Sequence, residues 1–243
     1  MQNMINECTD PLRVYALEIK DFISYIRFLH FIDYVDDEKR KRIFKFYHLE
    51  DAQRCLFSDL LARYMLWKST GESIRNTAFQ VGSYGKPYCS NFDIHFNISH
   101  SDRMILGVIG NSEVGIDIER ITGADIDIAK QFFTEDERNL ILSQKDEDIR
   151  SKVFFEIWTR KESFLKAIGT GLNTSLTSFD VCGDQVCYEG RQYDIRNIDV
   201  KPEYKAAICT GEGSNPIVVR LLKLDDFLQE MVTAYNSWGN TVL

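Results

Sequence analysis

The segment VGIDIER, residues 114–120, alternates apolar and acidic residues in the middle of the chain. A period of two predicts a β-strand that turns its isoleucines to the core and sets Asp117 and Glu119 on one polar face. The two carboxylates would then lie about 7 Å apart and repel one another, and a neighbouring cation would offset that repulsion. A strand face that merely needs to be polar gives the same pattern, so the segment alone leaves both interpretations open.

The elements on either side of this segment repeat in order. Before it, apolar residues at three- and four-residue intervals predict a helix over residues 49–67 that ends at Gly71, and residues 77–109 alternate short β-like runs with turns. After it come helical patterns over residues 125–143 and 149–168, the second stopped by Gly169. Strand-like runs follow, at residues 176–182, 186–190, 204–209 and 216–224, before a last helix from about Asp225.

We therefore predict an α+β fold built as a pseudo-two-fold pair of similar halves. Each half would be a long helix packed on a small antiparallel sheet. Residues 1–115 would form the first half and residues 116–243 the second, with no long linker between them.

The composition excludes several classes of protein. The chain has 243 residues, of which 44% are hydrophobic and 27% charged, as in ordinary globular proteins. Its net charge of -8 argues against nucleic-acid binding through an overall positive field. No run approaches the ~18 apolar residues of a membrane span, and the N-terminus lacks a secretory signal. We expect a cytoplasmic protein that contacts neither nucleic acid nor membrane, with its six cysteines reduced.

A third acidic residue comes from the long helix of the second half. In WTRKESFLK, residues 158–166, helical spacing puts Thr159, Glu162 and Lys166 on one polar stripe opposite buried aromatic residues. Three carboxylates without a histidine or cysteine at ligand spacing describe a hard-cation site, in which Mg²⁺ adds water and substrate phosphate to its shell. The four histidines form no helical ligand pair, which disfavours zinc.

Two further segments are suited to anions. Basic residues crowd into 39–45 after three acids, which predicts a short helix with Lys39 and Arg42 on one face. Ser99 and His100 lie at the end of a strand-like run. A solvated helix and an ordinary turn are the simpler interpretations of each segment. Together with the turn at residues 85–87 and the three acids, however, they indicate a metal-assisted phosphate-ester or diphosphate site.

These motifs resemble a known family. The segments GKPYCSNFDIHFNISHS, VGIDIER, FFTEDE and WTRKESFLKAIGTGL, in this order and spacing, closely resemble 4′-phosphopantetheinyl transferases of the surfactin-synthetase-activating (Sfp) type. EKRKRIFKFYHLEDAQR resembles the family's opening helices, so the resemblance covers nearly the whole chain. It implies a Mg²⁺-dependent enzyme that transfers the 4′-phosphopantetheine arm of coenzyme A to a serine hydroxyl of an apo acyl or peptidyl carrier protein, releasing adenosine 3′,5′-bisphosphate. We expect a monomer, because the internal duplication supplies the interface that half-length relatives obtain from a neighbour.

The resemblance also implies roles for individual residues at matching positions. The implied metal ligands are Asp117, Glu119 and Glu162. The implied coenzyme A contacts are Lys39, Arg42 and His100 at the 3′-phosphate, Ser99 and Lys166 at the diphosphate, and Lys86 with Pro87 at the adenine end. Cys55 stands where a relative has threonine, which removes one hydroxyl contact.

The catalytic roles leave an alternative open. Lys166 would stabilise the leaving group together with Mg²⁺, and the attacking serine needs a base. Glu162 could take the proton directly or through a metal-bound water, whereas Glu137 matches an acid proposed for this role in relatives and could instead cap a helix.

Carrier docking is expected on residues 169–200, through apolar contacts and local cations such as Arg191 and Arg196. Two rival functions use the same residues. One is a metal-dependent hydrolase of coenzyme A or nucleotide diphosphates, and the other is a non-catalytic coenzyme A-binding module.

Overall fold

The computed structural model describes residues 11–211 and 216–236. Its helices are α1 (Tyr25–Ile32), α2 (Asp37–Ile43), α3 (Leu49–Thr70), α4 (Ile126–Phe132), α5 (Glu135–Leu142), α6 (Glu147–Ile168) and α7 (Leu224–Asn236). Its strands are β1 (Leu12–Glu18), β2 (Gln80–Val81), β3 (Pro87–Tyr88), β4 (His95–Ser101), β5 (Met104–Gly110), β6 (Val114–Arg120), β7 (Gln185–Tyr188), β8 (Arg191–Asn197), β9 (Tyr204–Thr210) and β10 (Ile217–Lys223).

Two four-stranded sheets, each covered by one long helix, make up the fold. The first sheet has the order β10–β1–β5–β4 and packs against α3, and the second has the order β6–β9–β8–β7 and packs against α6. Both long helices end where the sequence predicts, at Gly71 and Gly169, which adopt left-handed φ angles of 74° and 72°. The predicted α+β class and the pair of similar halves are confirmed.

The end of the chain returns to the first half. Strand β10 pairs parallel with β1, from Leu12 opposite Ile217 to Glu18 opposite Lys223, whereas all other paired strands in the described residues are antiparallel. Helix α7 then buries Phe227 in the core beneath α3. The prediction that residues 116–243 form the second half is therefore wrong for β10 and α7, because an apolar pattern marks a strand without naming its partner.

A third apolar core joins the two halves. One face of the first sheet, including Val14 and Leu106, meets one face of the second, including Ile116 and Ile208, and all four side chains are buried. The halves are thus fused through a continuous apolar layer, so strands of one half fix the position of strands in the other.

Some local predictions differ from the structure. The strand predicted at residues 176–182 is a short 3-10 turn at Leu176–Ser178, and the β-like run near residue 80 shortens to two residues. Five cysteines are free, as expected, while Cys8 lies outside the described residues. Within residues 11–211 and 216–236, no helix combines the length and the apolar character needed to cross a membrane.

Candidate active site

Polar side chains at alternate positions of β4 connect it to β6 across the junction of the halves. The amide nitrogen of Ile116 donates to the Asn97 side-chain oxygen at 2.9 Å. Two residues on, Ser99 Oγ donates to Asp117 Oδ1 at 2.7 Å, and Ser101 Oγ donates to Glu119 Oε2 at 2.8 Å. These three hydrogen bonds fix the positions of Asp117 and Glu119 relative to β4. Sequence reasoning missed Asn97 and Ser101, although the period-two polar pattern of 97, 99 and 101 could have revealed them.

A glycine in β6 brings α6 close to the acids. A Cβ atom at Gly115 would lie 2.0 Å from the carbonyl oxygen of Ser163 and 2.3 Å from the amide nitrogen of Ala167. Glycine therefore allows strand and helix to touch through their backbones. This contact is what carries Glu162 and Lys166 over the acidic face of the strand.

Asp117 is the centre of the resulting polar cluster. Its side chain is 4% exposed, Oδ1 accepts from Lys166 Nζ at 2.6 Å and from Ser99 Oγ, and Lys166 Nζ also lies 2.9 Å from Ser99 Oγ. The other oxygen, Oδ2, is buried and has no hydrogen-bond partner in the described part of the chain. A buried carboxylate oxygen without a partner is costly, and a cation is one way to satisfy it.

The other two acids of this cluster, Glu119 and Glu162, both have raised pKa values. Burial, followed by the charge of Asp117, raises the pKa of Glu119. Burial also raises the pKa of Glu162, with Asp117 and Glu119 adding to the effect and Lys166 opposing it. All these groups line one open cleft of about 390 Å³, together with Ile98, Ser99, His100 and Trp158.

The residues of this acid cleft fit a hard divalent cation by chemistry. They offer three carboxylates, one of which has a buried oxygen without a partner. The arrangement is not a preformed metal site: within residues 11–211 and 216–236, no group of three or more acidic, histidine or cysteine side chains is already assembled to hold an ion. In this structure the positive charge beside Asp117 is the ammonium of Lys166.

A second cleft, of about 460 Å³, lies next to the first, and Ile98 lines both. Lys39 and Arg42 line it from α2 together with three acidic residues, while Phe79, Phe96 and Pro87 give it apolar walls. Cationic groups beside flat apolar walls suit a nucleotide, which presents phosphates and a base. We call it the nucleotide cleft.

A buried arginine organises the wall of the nucleotide cleft. Arg63, whose side chain is 3% exposed, donates to Asp59 Oδ2 at 2.7 Å and to Asp36 Oδ2 at 3.1 Å. Asp36 caps α2, and Asp59 lies 3.6 Å from Lys39 Nζ. The guanidinium also lies over the Phe79 ring, 5.1 Å from its centroid. One side chain thus braces both the cationic and the apolar wall, and no sequence motif marked it.

Two protein-family models and several known proteins match this chain. The family model of the 4′-phosphopantetheinyl transferase superfamily matches residues 113–209, and the model of the 4′-phosphopantetheinyl transferase N-terminal domain matches residues 24–110. A 4′-phosphopantetheinyl transferase of Bacillus subtilis is 39% identical over 73% of this chain and 82% of its own length. The chain belongs to the 4′-phosphopantetheinyl transferase family. Similar relatives include the transferase Sfp of Bacillus subtilis strain 168, 31% identical over 89% of this chain and all of its own length, and the transferase gsp of Aneurinibacillus migulanus, 40% identical over 72% and 76%.

Among the transferase's predicted coenzyme A contacts, the structure brings most to the two clefts. Lys39, Arg42 and Pro87 line the nucleotide cleft, and Ser99, His100 and Lys166 line the acid cleft. Although His100 is exposed as a residue, partial desolvation lowers its pKa, and the charges of Lys166 and Arg54 lower it further. Cys55 is buried and lines neither cleft, whereas Ser58, one turn later, lines the nucleotide cleft.

Lys86 differs from its predicted role at the adenine end. Its neighbours Gly85 and Pro87 line the nucleotide cleft, but its ammonium donates to the carbonyl oxygens of Val114 at 3.0 Å and Ala167 at 3.1 Å. The side chain is therefore committed to the second half.

Glu137 does not have the surroundings of a catalytic base. It is completely buried, and its carboxylate accepts from the amide nitrogens of Thr134 and Val181, both at 2.9 Å. It also forms an ion pair with Lys161 Nζ at 2.9 Å, and Lys161 is itself fully buried. With Thr134 it completes a capping box at the start of α5. The alternative of a helix cap describes these contacts, and a catalytic role of Glu137 stays a prediction.

The two cations predicted for carrier docking differ in availability. Arg191 is 70% exposed and forms a long ion pair with Glu113 at 3.7 Å, which leaves its guanidinium accessible at the surface. Arg196 is half-buried, and its Nη2 atom is buried without a hydrogen-bond partner among the described residues. Arg196 is therefore poorly placed for an electrostatic contact at the surface.

Proposed function

We propose that this protein transfers the 4′-phosphopantetheine arm of coenzyme A to a serine hydroxyl of an apo acyl or peptidyl carrier protein and releases adenosine 3′,5′-bisphosphate. The observation that carries the proposal is that the two clefts are neighbours, both lined by Ile98. A nucleotide with a ribose phosphate suits the cleft of Lys39 and Arg42, and its diphosphate would then reach Ser99 and Lys166. Membership of the transferase family supports the same reaction.

We further propose that Asp117, Glu119 and Glu162 hold Mg²⁺ when coenzyme A is bound. The divalent ion would supply charge neutralisation at the diphosphate. The unpartnered Asp117 oxygen and the raised pKa values of the two glutamates support this set. A cation beside Asp117 would repel the Lys166 ammonium, so we propose that Lys166 leaves Oδ1 on binding and takes a diphosphate oxygen as its new partner.

The chain's own residues then have distinct tasks. Lys166 meets the negative charge that grows on the leaving bisphosphate. Glu162, which lies beside Asp117 in the acid cleft, takes the proton of the attacking serine. The carrier would dock along residues 169–200, with Arg191 as its exposed cation. Because the sheet-to-sheet core lies within one chain, we propose that a monomer suffices.

Mass spectrometry of apo carrier proteins tests the activity. The protein is incubated with coenzyme A, Mg²⁺ and each member of a carrier panel, and a carrier should gain the mass of the transferred arm at its serine. Glu162→Gln should slow transfer by about 10²-fold or more, while the exposed Glu135→Gln should leave the rate unchanged. Bisphosphate release at equal rate without any carrier would instead establish a hydrolase, and binding of coenzyme A with no turnover would leave only a binding module.

A further inference from the structure

The hairpin β2–β3 is a small element that forms part of the nucleotide cleft. Val81, Gly85 and Pro87 line the cleft from this hairpin. Its turn is closed by hydrogen bonds from the Gly82 amide to the Lys86 carbonyl and from the Gly85 amide to the Gly82 carbonyl, both at 2.9 Å. Two strands of two residues each are too short to be stable alone, so contacts elsewhere must hold the hairpin in place.

Lys86 supplies such a contact, and it crosses to the other half of the molecule. Its ammonium donates to the first residue of β6, Val114, and to the last turn of α6, at Ala167. Carbonyl groups in the last turn of a helix have no partner within the helix and lie at its negative end. The side chain runs past Gly169, where an added Cβ would lie 3.4 Å from Lys86 Cδ.

The two backbone segments that Lys86 binds also carry the acid cleft. Val114 lies three residues before Asp117 on the same strand, and Ala167 directly follows Lys166 on the same helix. Strand and helix touch here through Gly115, so the junction that Lys86 caps has little freedom to move. One ammonium therefore connects the hairpin of the nucleotide cleft with β6 and α6, the two elements that carry the three acids.

We propose that Lys86 is a positioning residue that aligns the nucleotide cleft with the acid cleft, acting through the backbones of β6 and α6 and not by contact with the nucleotide. The proposal rests on the proposed function, because alignment matters only for a ligand that spans both clefts. The ammonium is desolvated in this position: burial lowers the pKa of Lys86 to about 8, against an opposing effect of Glu113.

Three variants test the proposal. Lys86→Met keeps the length of the stem and removes the donors, and Lys86→Arg keeps a cationic donor. Lys201→Met is the matched control, because Lys201 also joins the halves, through Glu18 at 2.5 Å, and lines neither cleft. Each is assayed for kcat and for the KM of coenzyme A, for the Kd values of coenzyme A and of adenosine 3′,5′-bisphosphate, and for Tm.

Misalignment predicts a specific pattern. Lys86→Met should lower kcat by about tenfold or more, since small displacements of reacting groups are costly. The Kd of the bisphosphate, which lacks the β-phosphate and the pantetheine arm and reaches the acid cleft only with its 5′-phosphate, should change by less than about twofold, and Lys86→Arg should recover most of the lost kcat. Lys201→Met should match the wild type in both quantities.

Other patterns would overturn the proposal. A parallel rise in the KM of coenzyme A and the Kd of the bisphosphate, at unchanged kcat, would mean that Lys86 contacts the nucleotide. A lower Tm with unchanged kcat would mean a structural role only. If the wild type transfers nothing, the proposed function fails, but the Kd measurements still test the alignment. Lys86→Met should then reduce the ratio by which coenzyme A binds more tightly than the bisphosphate. An unchanged ratio would refute the alignment.

Discussion

Replacing Glu137 by glutamine separates a structural from a chemical role at this position. The substitution keeps the size of the side chain and an oxygen that can accept from the Val181 amide, but it removes the negative charge facing Lys161. Breaking a fully buried ion pair costs about 3–5 kcal/mol. Lys161 retains the carbonyl oxygens of Leu176 at 2.6 Å and Phe179 at 2.9 Å, so we expect the lower end, about 3 kcal/mol.

A structural and a catalytic role of Glu137 predict different changes in Tm and in kcat for Glu137→Gln. In a chain of this length, about 3 kcal/mol corresponds to a Tm lower by roughly 6–12 °C. Well below that Tm, kcat should stay within about twofold of the wild type, whereas loss of a general base would lower it by about 10²-fold or more. Glu135→Gln, exposed on the same helix, should change neither quantity. A large fall in kcat at nearly unchanged Tm would refute the assignment of Glu137 to the fold.

Three further predictions concern residues that hold the elements of the site together. Gly115→Ala should yield little folded protein, because its Cβ would clash with the backbone of α6, while Gly123→Ala, in open space, should express and melt like the wild type; equal Tm values for both would contradict the close contact. Asn97→Ala leaves the buried Ile116 amide without its acceptor and should lower the free energy of unfolding by about 1–3 kcal/mol in urea titrations. An unfolding free energy equal to that of the wild type would contradict this prediction. Above its folded-state pKa of about 8, Lys86 is neutral in the folded chain, while the unfolded lysine keeps its proton up to its ordinary 10.5. The unfolding free energy of the wild type relative to Lys86→Met should therefore rise with pH across this window, by about 3 kcal/mol at most, and a flat difference would show that the ammonium is not desolvated.

Local patterns predict much of this fold because they depend on neighbours in sequence. The alternation in residues 114–120 coincides with β6, and the glycine stops at 71 and 169 end the two long helices. Local patterns do not predict which elements pair when they lie far apart in the sequence. The apolar run of β10 fits the edge of either sheet, and only its parallel register with β1 assigns it to the first half.

The same limit applies to the site. The acids, Lys166 and the cations of α2 could be selected by charge and spacing, together with a family resemblance that the relatives confirm. The contacts of Glu137 and Lys86 could not be predicted because their partners lie far away in sequence: Lys161 neutralises the first, and the end of α6 binds the second. Burial and partner identity, which decide between a catalytic and a structural charge, are properties of the packed molecule.

A crystal structure of the protein with coenzyme A and Mn²⁺, which replaces Mg²⁺ and scatters anomalously, would test the acid cleft most directly. The account predicts one anomalous peak at the diphosphate, about 2.0–2.3 Å from oxygens of Asp117, Glu119 and Glu162, with the Lys166 ammonium moved from Asp117 to the phosphate. An ion held by other residues, or a bound coenzyme A with Lys166 still on Asp117 and no ion beside the three acids, would contradict it.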